Sequence, residues 1–171
     1  MALRKKRLHP VLSTVLLGMG LCISLLLVGC EKSNDALKHN HTKEALPFKL
    51  GTVQCPQCRM PVELLNNAVQ IVKPDGNTYI FDDVGCMILW AKENKYDFNT
   101  LVSWVYSHDS HHWIDAKKAY YSLTDSTPMR YGFGAYEKPH ADFINFEEMR
   151  LRMLRGLTLK DPKIRKHLLG N

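Results

Sequence analysis

Residues 68–92 read AVQIVKPDGNTYIFDDVGCMILWAK, and this stretch decides the fold. Ala68 to Val72 is short and β-branched, and Thr78 to Phe81 (TYIF) answers it across Pro74-Asp75-Gly76-Asn77. Proline and glycine in so short a connection predict a hairpin. Asp82 and Asp83 follow, and aspartate is a good helix N-cap. Val84, Met87 and Leu89 to Ala91 then place an apolar stripe on successive turns, so a helix is expected from about 84 to 94.

Outward from this core, Leu101 to Tyr106 (LVSWVY) and Ala119 to Leu123 (AYYSL) read as strands. Tyr131 to Tyr136 (YGFGAY) alternates aromatic with glycine, which suits a strand at a close backbone approach. Phe143 to Leu154 has apolar residues mostly at helical spacing. Trp104 and Trp113 are expected in the core. The order predicts one small α+β domain over residues 51–150, and it hints at two similar halves that no residue-level repeat accompanies.

The chain has 171 residues, 45% apolar and 23% charged, which excludes disordered, collagen-like and multi-pass membrane classes. Arg4, Lys5, Lys6 and Arg7 open it, and Val11 to Gly29 follow without a charge. That is the pattern of a secretory signal. Leu27-Val28-Gly29-Cys30 resembles the bacterial lipobox, so residues 1–29 are read as a lipoprotein signal peptide and Cys30 as the lipidated residue, carrying an acyl group such as palmitate. Cys22 follows Leu21, which is too large for that pattern. The expected location is a membrane surface, lipid-anchored and facing the periplasm or extracytoplasmic space. Glu31 rather than Asp after the lipidated cysteine is consistent with the outer membrane. Residues 30–50 are polar and lack a sustained apolar period, so they read as a flexible tether reaching roughly 25 Å. His39 and His41 within it are read as solvated.

The formal charge of +6 is partly a leader effect, because only +2 remains from Cys30 onward; nucleic acid is not an expected partner. Residues 151–171 read as a basic, frayed C-terminal tail: from Arg150 to Asn171 seven basic residues accompany one acid.

With Cys22 removed and Cys30 acylated, Cys55, Cys58 and Cys86 remain, an odd number in an oxidising compartment. Three chemistries compete for Cys55-Pro56-Gln57-Cys58-Arg59-Met60-Pro61. Cys-x-x-Cys is the disulfide-exchange motif, but no helix clearly begins at Cys55 and no β-α-β run precedes it. Structural zinc would take Cys55, Cys58 and Cys86 with a histidine. Cu(I) would take the thiolate of Cys58 with the thioether of Met60, a soft pair that zinc does not favour. Met87 beside Cys86, and Met129 in Thr127-Pro128-Met129, add thioethers.

Cys-x-x-Cys-x-Met, then Phe81-Asp82-Asp83-Val84-Gly85-Cys86-Met87, then Trp113-Ile114-Asp115-Ala116, then Thr127-Pro128-Met129 resemble, in order, the NosL family of nitrous oxide reductase accessory lipoproteins. The resemblance implies a membrane-tethered Cu(I) chaperone rather than an enzyme. It implies a fold of two ββα-type halves similar to the treble-clef organomercury lyase, with Cys58 and Met60 as ligands and Met129 as a further one. The implied partner is a copper enzyme or its maturation complex, nitrous oxide reductase foremost. Arg59 and Arg130 stand where glycine is common in the family. Less central ligand candidates are Cys55, Cys86 and His112, the last from the His108, His111 and His112 cluster. Asp82 and Asp83 are candidates for the metal's surroundings or for helix capping. The rival function is a periplasmic thiol-disulfide oxidoreductase using Cys55 and Cys58.

Overall fold

The computed structural model describes residues 36, 37 and 39–170; the signal sequence, the lipobox and Cys30 lie outside the described residues. Four antiparallel strands form the main sheet: β1 (Val69–Val72), β2 (Thr78–Phe81), β3 (Val102–Tyr106) and β4 (Trp113–Asp115), in spatial order β2-β1-β3-β4. The hairpin expected from the sequence is β1–β2, with Val69 opposite Phe81 and Val72 opposite Thr78. Helix α1 (Val84–Glu93) follows β2 directly. Asp83 caps it, accepting the Gly85 N–H at 2.8 Å, because the first turn's amides have no intrahelical partner. A second antiparallel sheet has the order β6-β5-β7, from β5 (Tyr120–Tyr121), β6 (Ala135–Tyr136) and β7 (Ile144–Asn145). Helix α2 (Phe146–Leu154) then packs against α1, and α3 (Pro162–Leu169) ends the described chain. The α+β class expected from the sequence is the observed one. Among the described residues no helix is long and apolar enough to cross a membrane.

β1 is buried along its whole length, so both faces of the sheet are covered. Val69 and Ile71 look toward α1 and a core holding Phe81, Met87, Ile88 and Met149. Gln70, with its register partners Ile80 and Trp104, lies on the other face. Residues 36, 37 and 39–50 lie against that face, which corrects the reading of a flexible tether for this part of 30–50; residues 30–35 lie outside the described residues. Leu37 pairs with the free edge of β2 through both backbone bonds of Thr78, at 2.8 Å each. Buried Asn40 donates to the Thr78 hydroxyl at 3.0 Å, and the Trp104 indole donates to the Lys43 carbonyl at 2.8 Å. The Gln70 side chain accepts the Leu46 N–H at 2.9 Å and donates to the Leu46 carbonyl at 2.8 Å. Composition does not signal this segment, because hydrogen bonds to partners remote in sequence hold it rather than an apolar stripe.

Three further expectations change. Trp104 and Trp113 are half-buried rather than core, since Trp104 serves as a donor to the overlying segment. The strand expected over 131–136 shortens to Ala135–Tyr136, although the close approach is real: a side chain at Gly134 would strike the Asp125 carboxylate. The tail 151–171 is not frayed over its described length. Met153, Thr158 and Leu159 are buried, and α3 has Asp161 as N-cap, Pro162 in its first turn and left-handed Gly170 as its stop.

Candidate metal centre

Residues 51–62 fold back on themselves ahead of β1. Gln54 and Pro61 form an antiparallel bridge, and the Val62 N–H donates to the Val53 carbonyl at 2.9 Å. Inside this knuckle the Cys55 N–H donates to the Met60 carbonyl and the Arg59 N–H to the Cys55 carbonyl, both at 2.9 Å. Closing so tight a turn takes one left-handed residue, and Arg59 supplies it with φ 67°. A side chain there costs about 1 kcal/mol that glycine would not incur. Arg130, in the loop before Tyr131, adopts the same conformation with φ 55°.

The knuckle aims two thiols at the junction of β2 and α1, where Asp82 follows the strand and Cys86 sits in the first turn of the helix. The sulfurs of Cys55, Cys58 and Cys86 and a carboxylate oxygen of Asp82 all lie within 4.8 Å of one another. The Cys58 thiol donates to both Asp82 oxygens at 3.2 Å. All three cysteines are free; Cys55 and Cys86 are fully buried, and Cys58 is half-buried.

These contacts grade the thiols. Cys55 is held below the usual thiol range, first because the Cys86 thiol donates to it; burial opposes this and the Cys58 amide assists it. Cys86, which gives that hydrogen bond, is pushed well above the range, and its burial adds to the effect. Burial pushes Cys58 up to about 12, although the Met60 amide points at its sulfur. Burial likewise raises Asp83 to about 6, against donation from the Thr127 hydroxyl and the amides of Gly85 and Met129.

Met60 lies at the rim, 38% exposed, and lines a cleft of about 280 Å³ together with Pro61, Glu63, Leu64, Asp82 and Pro128. Met129 is half-buried against the core, and its N–H is tied to Asp83 at 3.1 Å. His112 does not join the cluster. It precedes β4, on the opposite outer strand from β2, and faces Glu137 at 3.6 Å. His108 faces Asp125 at 3.7 Å. The fourth polar group beside the thiols is therefore Asp82 and not a histidine. From the sequence the two aspartates were equivalent; the structure makes Asp83 the cap and brings Asp82 to the sulfurs.

Three thiols and one carboxylate at this spacing match in number the ligand set of a four-coordinate thiolate-bound ion. The donor set is predominantly soft, with further thioether sulfur at the rim. No family model matches the chain, and no curated protein matches it. Among solved structures the chain is similar to the copper chaperone NosL from Shewanella denitrificans, at 14% identity and a TM-score of 0.49, over 64% of this chain and 87% of that one.

Proposed function

We propose that this chain is a Cu(I)-binding metallochaperone, anchored through Cys30 at an extracytoplasmic membrane surface, that passes copper to a copper enzyme of the nitrous oxide reductase kind. The observation that carries the reading is the convergence of three free thiols beside Asp82, with Met60 on the same knuckle. Thioether sulfur favours Cu(I) over Zn(II), and thiolate supplies the charge the ion requires. Cys58 and Met60 hold the ion at the accessible side. Cys55, Cys86 and Asp82 stand behind them as a reserve of donors, and Met129, which follows Pro128 of the cleft in the chain, is the further thioether of this reading. Open access at Met60 lets a partner's sulfur or imidazole attack the ion and take it by ligand exchange, so the protein turns over no substrate.

The disulfide-exchange alternative asks for an attacking thiol that is both acidic and exposed. Here those properties are divided: Cys55 is acidic but fully buried, while the accessible Cys58 is pushed up to about 12.

The test is anaerobic competition for Cu(I) against a chromophoric chelator. Wild type is expected to bind one ion per chain, more tightly as pH rises, because a proton must leave sulfur. Cys58→Ala should lose at least about a hundredfold in affinity and Met60→Leu roughly tenfold, or about 1.4 kcal/mol for the lost soft donor. Unchanged affinity in both variants would place the metal elsewhere. Zinc retained in preference to copper would make the cluster a structural zinc site.

A further inference from the structure

A second concavity of about 440 Å³ opens between residues 124–130 and α3, away from the thiols. Arg130 and Arg165 line it from two separate segments, with the hydroxyl residues Thr124 and Ser126 beside them and Leu159 and Leu169 completing the wall. Among the described residues neither guanidinium forms an ion pair with a carboxylate. Arg165 reaches only the Leu159 carbonyl, at 3.5 Å. Asp125 also lines the cleft, but its carboxylate is engaged, accepting the Tyr136 hydroxyl at 2.9 Å and facing His108. Asp161 is likewise turned inward, capping α3 through the amides of Lys163 and Ile164. Two guanidiniums thus line one cleft with no ion pair among the described residues, against the single carboxylate of Asp125, and exposed Lys163 and Lys166 on α3 add to the positive field.

We infer that this cleft binds a phosphate group. Guanidinium forks from two separate segments, with hydroxyl residues lining the same cleft, offer donors to more oxygens than a carboxylate possesses. The volume exceeds what a bare phosphate fills, and Leu159 and Leu169 leave an apolar wall for an ester substituent. The phosphate could therefore be a free ion or the headgroup of an anionic phospholipid.

Isothermal titration of the full chain in nonionic detergent tests this with two probes, inorganic phosphate and dihexanoyl phosphatidylglycerol. Saturable binding of at least one, with Kd below about 1 mM, is expected; binding of the lipid alone identifies the headgroup as the source, and binding of both makes the phosphate group sufficient. The double variant Arg130→Gln/Arg165→Gln should weaken binding at least about tenfold, as loss of charge-assisted bonds implies. The control Lys163→Gln/Lys166→Gln should change it less than about twofold. All four side chains are exposed, so unchanged thermal unfolding is expected of both variants. No saturable binding of either probe to the wild type overturns the assignment. So does a control that loses as much as the double arginine variant, since that describes a diffuse basic surface.

Discussion

Replacing Gln70 with Leu distinguishes a docked N-terminal segment from a loose one by the sign of its effect. Gln70 is fully buried at the centre of the main sheet, a position where an apolar side chain of similar size would ordinarily be stabilising. Its amide, however, makes both a donor and an acceptor bond to the backbone of Leu46. Two such bonds contribute about 1 kcal/mol each. Leu46 is half-exposed, so water can partly satisfy its freed groups, and the extra apolar character of leucine offsets part of the loss. The expected net change is a destabilisation of about 1–2 kcal/mol in urea unfolding, with little change in the denaturant slope. Residues 36–50 should also open more often. Cleavage after Lys43 and Lys49 tracks the population of the open form, and 1.4 kcal/mol raises it roughly tenfold. A Gln70→Leu protein that is as stable as wild type or more so, with unchanged cleavage, would refute the argument and return residues 36–50 to the status of a tether.

Gly85→Ala should destabilise the fold by about 1–2 kcal/mol in thermal unfolding, because overpacking outweighs the gain in helix propensity. The new Cβ would lie 2.7 Å from Tyr131 Cε2 and 2.9 Å from Met153 Sδ, both on buried side chains; a stabilised variant would contradict that packing. Desolvation of the Asp109 carboxyl, the largest single influence on it, raises it, but donation from the Ser107 hydroxyl and the amides of Glu137 and Lys138 together outweighs this and holds it at about 2 against an ordinary 3.8. Its contribution to stability is therefore complete above the ordinary value and lost as pH falls through about 2, so the gap between wild type and Asp109→Asn should close over that window. Carbon-detected NMR titration checks the origin of the effect, and an Asp109 carboxyl titrating at its ordinary value would sink it.

The parts legible in the sequence are those whose signals are local. The β1–β2 hairpin follows from two β-branched runs and a Pro-Gly turn, and α1 follows from its stripe and its aspartate cap. The second sheet was less legible, since β5, β6 and β7 are two residues each and present no period to read. Residues 39–50 escape a composition reading, which measures what a segment can bury, because hydrogen bonds hold them: Gln70 and Trp104 reach in from the sheet, and Asn40 reaches out to Thr78, all partners remote in sequence. The C-terminal helix is a different case. Asp161, Pro162 and Gly170 are standard start and stop signals, and the density of basic charge around them drew the reading toward a solvated end.

The candidate centre divides along the same line. Cys55, Cys58 and Met60 share one turn, so their association could be read directly. Cys86 and Asp82 arrive only because β2 ends and α1 begins where the knuckle folds back, a coincidence no spacing rule contains. The histidines near 112 were attractive donors in one dimension and fail in three, since β4 lies across β1 and β3 from β2. The outcome favours sulfur: the fold places His108, His111 and His112 away from the thiols and brings three thiols and a carboxylate together, with the Met60 thioether in the cleft that Asp82 also lines. Within that set the most accessible donors, Cys58 and Met60, are the two that the sequence pairs most closely. On the proposed reading this gradient from buried thiols to an exposed thioether lets an ion enter and leave by exchange at the rim while the inner sulfurs stay shielded from oxidants.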